Sequence, residues 1–294
     1  MEINAYAKIN LSLDVTGKRN DGYHELRMIM QTIGLHDVIR LDAAPEITGN
    51  AEEGSIKLTC SIPGLECDES NLAYKAARLL YREFGITDDL TIHIDKNIPV
   101  AAGLAGGSSD AAAVLKGVNE FFGLGLTDDE LMKRGLGIGA DVPYCIMGGT
   151  ALAEGIGEVL TPLEALSGLT VVLAKPDIDV STKYVYQHLE MEKIKNCHPD
   201  IDNMKAAIEM DDIGCVPEFL GNVLESVTIP MHPEIQKLKD MMMSNGAAGA
   251  LMSGSGPSVF GLFVDKKTAQ TAYDRISETE NTTSVFLTTL QEAQ

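Results

Sequence analysis

Positive charge is scarce in this sequence: 23 Lys and Arg stand against 43 Asp and Glu over 294 residues, a formal net charge of −20. That balance excludes broad binding to nucleic acid or to an anionic membrane surface, both of which need basic surface. It also sets any anionic ligand against a repulsive mean field, so an anion site must be made locally from helix N-termini, a few Lys side chains and a metal ion. Long apolar runs are missing too. No stretch approaches the roughly eighteen apolar residues of a membrane span, and the N-terminal residues carry no secretion signal, which points to a cytoplasmic protein. Cys60, Cys67, Cys145, Cys197 and Cys215 include no C-x-x-C and read as free thiols. Asn281-Thr-Thr fits a glycosylation acceptor, which carries no meaning without secretion. There is no repeat and no low-complexity linker. With 45% hydrophobic and 22% charged residues, the composition is that of an ordinary globular protein of one large or two medium domains.

What the chain does have is a glycine-rich loop in a telling place. Residues 90–95 alternate apolar and polar side chains, as a strand does. The loop itself comprises Pro99, Val100, Ala101, Ala102, Gly103, Leu104, Ala105, Gly106 and Gly107, followed by Ser108 and Ser109. An alanine-rich helix follows, which Ser108 or Ser109 can cap. Strand, glycine loop and helix N-terminus together make an anion site, because glycines let backbone N–H groups approach an oxyanion and the first turn offers unpaired donors. The loop is neither a Walker A motif nor G-x-G-x-x-G. The plainer alternative is a tight turn; the two serines and the helix directly behind favour phosphate.

Taken in order, residues 3–15 read as a strand or strand pair that puts Lys8 and Asn10 on one face. A mid-strand Lys is either a solvated edge residue or one with a partner. Asp21-Gly22 signals a hairpin turn, and strands follow over 23–30, 38–41 and 56–59, the last two separated by a Glu-rich loop. Amphipathic spacing predicts a helix over 70–81, and a capping box from Thr127 to Glu130 opens another over 128–134. Asp141, before Val142-Pro143, is either an N-cap or a carboxylate on a glycine-supported turn. Residues 170–174 form a buried strand. From about residue 160 helices dominate, over 181–189, 202–210, 216–224 and 233–245. The glycine-serine segment 253–258 is a hairpin loop or a second phosphate-facing loop, and a helix over 268–278 and a strand over 283–287 complete the chain.

Three separated segments, Ala7-Lys-Ile-Asn-Leu11, Pro99-x-x-x-Gly-Leu-x-Gly-Gly-Ser-Ser109 and Ser253-Gly-Ser-Gly-Pro-Ser258, resemble the three motifs of the GHMP small-molecule kinases. Asp21-Gly-Tyr-His-Glu25 and Gly139-Ala-Asp-Val-Pro143 narrow the resemblance to a branch that phosphorylates a cytidine-diphosphate-linked polyol. The match runs in order over most of the chain. It implies a two-domain α+β fold, with residues 1–160 as the ATP-binding domain, 161–294 as the C-terminal domain and the active site in the cleft between them. The implied reaction moves the γ-phosphoryl of ATP, with Mg²⁺, onto the 2-hydroxyl of a methylerythritol moiety, in the non-mevalonate route to isoprenoids. On this resemblance Asp141 is the base and Lys8 orients it and stabilises charge. The loop from Pro99 to Ser109 holds the triphosphate, and Leu72 and Lys96 fall at the adenosine pocket, although Lys96 also reads as a solvated turn residue. Asn10 positions the hydroxyl, His24 reads the cytosine edge, and Tyr23 and Tyr186 stack on the base or simply pack. The resemblance leaves the metal ligands and the role of Asp110 open. Another GHMP kinase, acting on mevalonate or homoserine, and a silent ligand sensor of the same fold are the competing readings.

Overall fold

The computed structural model describes residues 1–43, 54–279 and 282–293. Most of the Glu-rich loop expected after residue 41, and the Asn281 acceptor, lie outside them. In chain order the elements are β1 (Glu2–Lys18), β2 (His24–Ala43), β3 (Ile56–Cys60), α1 (Leu72–Phe84), β4 (Leu90–Asp95), α2 (Gly106–Phe121), α3 (Asp128–Leu136), α4 (Val142–Met147), β5 (Thr150–Gly155), β6 (Val159–Pro162) and β7 (Thr170–Pro176). Then come α5 (Thr182–Gln187), α6 (Met191–Ile194), α7 (Ile201–Glu209), a 3₁₀ turn (Val216–Phe219), β8 (Gly221–Asn222), α8 (Glu225–Met231), α9 (Pro233–Ser244), β9 (Gly249–Met252), β10 (Val259–Phe263), α10 (Lys266–Ser277) and β11 (Thr282–Thr289). Mixed helices and sheets agree with the expected α+β class.

The chain divides into two interleaved compact units. The first comprises Met1–Ala7, Leu35–Val100 and Ala105–Met147. In it the C-terminal part of β2 runs antiparallel to β4, Val38 opposite Asp95, and β3 lies parallel to β4 on its other side. Helices α1 and α2 pack on these strands through Ala73, Ala76, Leu80, Ala112, Val114 and Leu115, all buried with Ile39, Leu41, Ile92 and Ile94. Asn71 caps α1 by accepting from the Ala73 amide at 2.9 Å, and Gly85, at φ +62°, ends it. The capping box of α3 is present at both ends, Thr127 Oγ1 accepting from the Glu130 amide and Glu130 Oε2 from the Thr127 amide.

The second unit comprises Lys8–Gly34, Ala101–Leu104 and Gly148–Gln294. Here β5 pairs antiparallel with the N-terminal part of β2, Leu26 opposite Gly155, and with β6, while β8 lies parallel to β1. A separate antiparallel sheet runs in the order β11-β7-β10-β9, with α9 and α10 packed on it.

Two expectations need correction. The strands expected at 23–30 and 38–41 are one strand, β2, because the polar residues between them are satisfied by tertiary partners: buried Gln31 donates to Gln291 O and accepts from Thr150 Oγ1. The helix expected over 216–224 is a 3₁₀ turn and the short strand β8; a Cβ on Gly221 would lie 2.8 Å from Pro199 Cβ, so a close approach, not a helix, requires that glycine. Strands β5 and β6 and helices α6 and α8 were not legible, since Ala-rich β5 lacks β-branched alternation and α8 contains Pro230. Removing the α3 cap with Thr127→Ala should cost about 1 kcal/mol of stability, read as a lower urea midpoint at unchanged slope. An unchanged midpoint would show that the box contributes nothing.

Candidate active site

Lys8 and Asn10 share a face of β1 with Ser12 and Asp14, and all four are buried. Lys8 is 6% exposed, and its ammonium donates to Asn10 Oδ1 at 2.7 Å. An ammonium carries three donors. Among the described residues of its unit, Lys8 has no carboxylate partner, so it is not the solvated edge residue that was one alternative. Asn10 is held in turn by Met28, whose sulfur accepts from Nδ2 at 3.2 Å. A backbone bond from the Lys8 amide to Leu104 O ties this strand to the middle of the glycine loop.

That loop is bent through left-handed conformations at Ala101 (φ +52°), Gly103 (φ +74°) and Ala105 (φ +58°). Gly103 is required twice over, for its positive φ and because a Cβ would stand 2.4 Å from Ser253 O. The 253–258 turn thus lies directly on Gly103, and Ser253 Oγ donates to Gly103 O at 3.0 Å. Asn10 Oδ1 lies 3.5 Å from where a Gly254 Cβ would be. The second glycine-serine segment is therefore the hairpin turn between β9 and β10 and also a neighbour of Asn10 and Gly103.

Helix α2 begins at Gly106 with Ala105 as its N-cap and no side-chain capping bond. The expected serine cap is not used: Ser108 and Ser109 lie inside the first turn, and Ser109 Oγ donates to Tyr6 O at 2.5 Å. The leading amides of the helix keep no intrahelical acceptor, which suits an anion. In the first unit Leu72, Gly107, Ser108 and Gly139 converge. Leu72 Cδ1 lies 3.8 Å from a Gly107 Cβ position and 3.9 Å from that of Gly139, and Ser108 Oγ lies 3.7 Å from the latter. Asp141 follows two residues on, half-buried, its carbonyl opening α4 by accepting from the Cys145 amide. Its carboxylate has no hydrogen-bond or ion-pair partner among the described residues of its unit, so it does not serve as a side-chain cap.

Lys96 is not a solvated turn residue. Its ammonium is buried between Asp37 Oδ2 at 2.5 Å and Asp110 Oδ2 at 2.7 Å, and it fills the space a Gly106 side chain would need. Asp37 Oδ1 also accepts from the amides of Asn97 and Ile98. Asp37 escaped sequence reading; its one signal was an acid set among strand residues. Burial raises the Asp110 carboxyl, the Lys96 ammonium opposes this and the Asp37 carboxylate adds to it, leaving Asp110 pushed up to about 7. The same two carboxylates outweigh burial at Lys96 and raise it.

In the second unit the Asp21–Glu25 turn is closed by the Tyr23 amide donating to Asp21 Oδ1 and the Arg19 amide to Tyr23 O. It presents His24 beside Tyr186, ring centroids 5.4 Å apart and 30° from parallel, while Tyr23 is 60% exposed. Half-burial, with Lys18 nearby, lowers the His24 pKa and keeps its ring neutral, one nitrogen donor and one acceptor. Thr182, at the start of the helix bearing Tyr186, is bonded through its hydroxyl to Ser255 Oγ at 2.7 Å. Among the described residues no group of three or more His, Cys, Asp or Glu side chains is arranged to hold a metal ion, and no helix is long and apolar enough to cross a membrane.

Gly103→Ala should destabilise the protein by roughly 2 kcal/mol or more, combining the left-handed φ with a backbone clash. A wild-type melting temperature would refute the close approach. A folded-state pKa above the ordinary carboxylate value means that the contribution of Asp110 is full in acid and lost as pH rises through about 7. Asp110→Asn removes that titration, so the melting temperature of the variant relative to wild type should climb between about pH 4 and about pH 7 and level off above. A pH-independent difference would count against it.

The GHMP kinases N terminal domain matches residues 71–149 and the GHMP kinases C terminal description matches 191–281. The chain is 49% identical to the 4-diphosphocytidyl-2-C-methyl-D-erythritol kinase of Caldicellulosiruptor saccharolyticus over 94% of this chain and 92% of that one. It is 47% identical to the kinase of the same name from Clostridium perfringens, over 98% and 97%. A crystal structure of 4-(cytidine 5′-diphospho)-2C-methyl-D-erythritol kinase superposes with a TM-score of 0.82 at 31% identity, covering 99% of both chains. A homoserine kinase structure from Cytophaga hutchinsonii shares the fold, with a TM-score of 0.76 at 18% identity. With both GHMP descriptions matched in order, and relatives of this identity aligned along nearly the whole chain, this protein belongs to the 4-diphosphocytidyl-2-C-methyl-D-erythritol kinase family of GHMP kinases, small-molecule phosphotransferases that use ATP.

Proposed function

We propose that the chain transfers the γ-phosphoryl group of ATP to the 2-hydroxyl of 4-diphosphocytidyl-2-C-methyl-D-erythritol, giving the 2-phosphate and ADP. The observation that carries this reading is the buried Lys8 ammonium, hydrogen-bonded to Asn10 and lacking a carboxylate in its own unit. Such a group is costly unless negative charge comes to it, and phosphoryl transfer brings that charge. Asp141 accepts the hydroxyl proton as the oxygen–phosphorus bond forms and the bond to the ADP oxygen breaks. Lys8 stabilises the charge on the attacking oxygen and the moving phosphoryl group, and Asn10 orients the hydroxyl.

The triphosphate rests on the loop from Pro99 to Ser109, where the amides leading α2 are free of intrahelical acceptors. Mg²⁺ usually keeps several waters and takes few protein ligands beside phosphate oxygens, so the absence of an acidic cluster among the described residues suits it. The Ser108 hydroxyl would hold it, since Ser109 is committed to Tyr6; when bound, the ion supplies charge neutralisation at the phosphates. Leu72 borders the adenosine site, and Lys96 lines it from its place between Asp37 and Asp110. A neutral His24 reads the cytosine edge, with Tyr186 and Tyr23 offering aromatic faces to the base.

Asp141→Asn should leave ATP affinity within a few-fold of wild type and lower turnover by at least about a hundredfold. Unchanged turnover would remove Asp141 as the base. ADP release should depend on the cytidyl acceptor when mevalonate, homoserine and galactose are offered beside it. Turnover with one of these instead would discard the base-recognition roles of His24 and Tyr23, and ATP binding without any turnover would make the chain a sensor.

A further inference from the structure

Asn222, in β8, has no side-chain hydrogen bond to the glycine loop or to Lys8 among the described residues, yet it holds the turn that lies on Gly103 and beside Asn10. Its carboxamide is buried and bonded at both ends. Nδ2 donates to Met252 O at 2.9 Å and to Gly254 O at 2.7 Å, and Oδ1 accepts from the Leu224 amide at 3.0 Å. The two carbonyls it takes are those at the entry to the 253–258 turn. Gly254 has φ +57°, and a Cβ there would lie 3.3 Å from Gly103 O and 3.5 Å from Asn10 Oδ1, the atom that accepts the Lys8 ammonium. Ser253 is bonded to Gly103 O, and a Gly103 Cβ would strike Ser253 O. The strand bearing Asn222 is itself registered on β1, Leu13 opposite Asn222, three residues beyond Asn10. One carboxamide thus sets the distance between β1 and the turn that confines the partner of Lys8.

We infer that Asn222 is a positioning residue for phosphoryl transfer: by clamping Met252 O and Gly254 O it fixes the turn against Asn10 and Gly103, and so fixes the Lys8 ammonium. The inference rests on the reading of Lys8 as a group acting on the substrate. Only an amide supplies two donors and an acceptor here. Asn222→Asp keeps the size and the bond from the Leu224 amide, but sets a carboxylate oxygen against two carbonyls.

Turnover of the cytidyl acceptor with Mg-ATP tests this, measured well below each variant's melting temperature, for Asn222→Asp, Lys8→Ala and Ile276→Val. The last trims a buried side chain of α10 and serves as a control for lost stability. We expect Asn222→Asp to lower kcat at least about tenfold with either KM within about threefold, and Ile276→Val to keep the wild-type kcat. A wild-type kcat in Asn222→Asp, beside a large loss in Lys8→Ala, overturns the role of Asn222 alone. Wild-type turnover in Lys8→Ala overturns the reading beneath it. Should Asn222→Asp fail to fold, Gly254→Ala strains the same turn from its other side: a matching loss of kcat supports the inference, and a wild-type kcat overturns it.

Discussion

Two of the buried lysines of this acidic chain, Lys96 and Lys8, differ in how they are neutralised, and that difference organises the candidate site. Lys96 is held by two carboxylates within its own unit, so its charge is more than balanced and its ammonium acts as a strut between β2, the end of β4 and the N-terminal part of α2. Among the described residues of its own unit, Lys8 has an amide oxygen and no carboxylate. Desolvating an ammonium is expensive, and the cost is offset only when an anion arrives. In a protein of net charge −20, the proposed attraction for a phosphorylated ligand is thereby local: one lysine is spent on architecture, and the other has no balancing carboxylate among the described residues of its own unit.

The glycines follow from the same need for closeness. Gly103 lies where two backbones meet with no room for a Cβ, Gly254 where one would crowd the Gly103 carbonyl, and Gly106 leaves room for the Lys96 ammonium. Left-handed φ at Ala101 and Ala105, where no glycine eases it, marks a loop whose path is dictated by its surroundings. Strain of this kind is held by hydrogen bonds at its margins, here Lys8 to Leu104, Ser253 to Gly103 and Ser109 to Tyr6.

Much of this was legible beforehand for physical reasons. Strand periodicity put Lys8 and Asn10 on one face, and the two are bonded. The glycine loop, its helix and the capping box of α3 are local features, set by residues within a few positions of each other. Tertiary facts escaped. Nothing in the sequence distinguishes Lys96 as an ion-paired strut from Lys96 as a surface residue, because Asp37 lies 59 positions away. The serine cap failed because a left-handed Ala105 let the helix start early, at Gly106. Residues 31–37 looked like a break in a strand because the partners that satisfy Gln31 come from β5 and the C-terminal segment.

The chain passes between its two compact units at residues 7–8, 34–35, 100–101, 104–105 and 147–148. During synthesis the first unit has all its segments once residue 147 has emerged. The second must wait longer: its strand from β2 lacks β5 until residue 155, and the Thr32 carbonyl receives the Gln291 amide only once residue 291 has emerged. At about 5–20 residues per second, Lys8 and the polar face of β1 spend several seconds as a made strand with an unmade neighbour. Interleaving of this kind gives the nascent protein one half that matures early and one that closes last, and the residue proposed to act on the phosphoryl group belongs to the half that closes last.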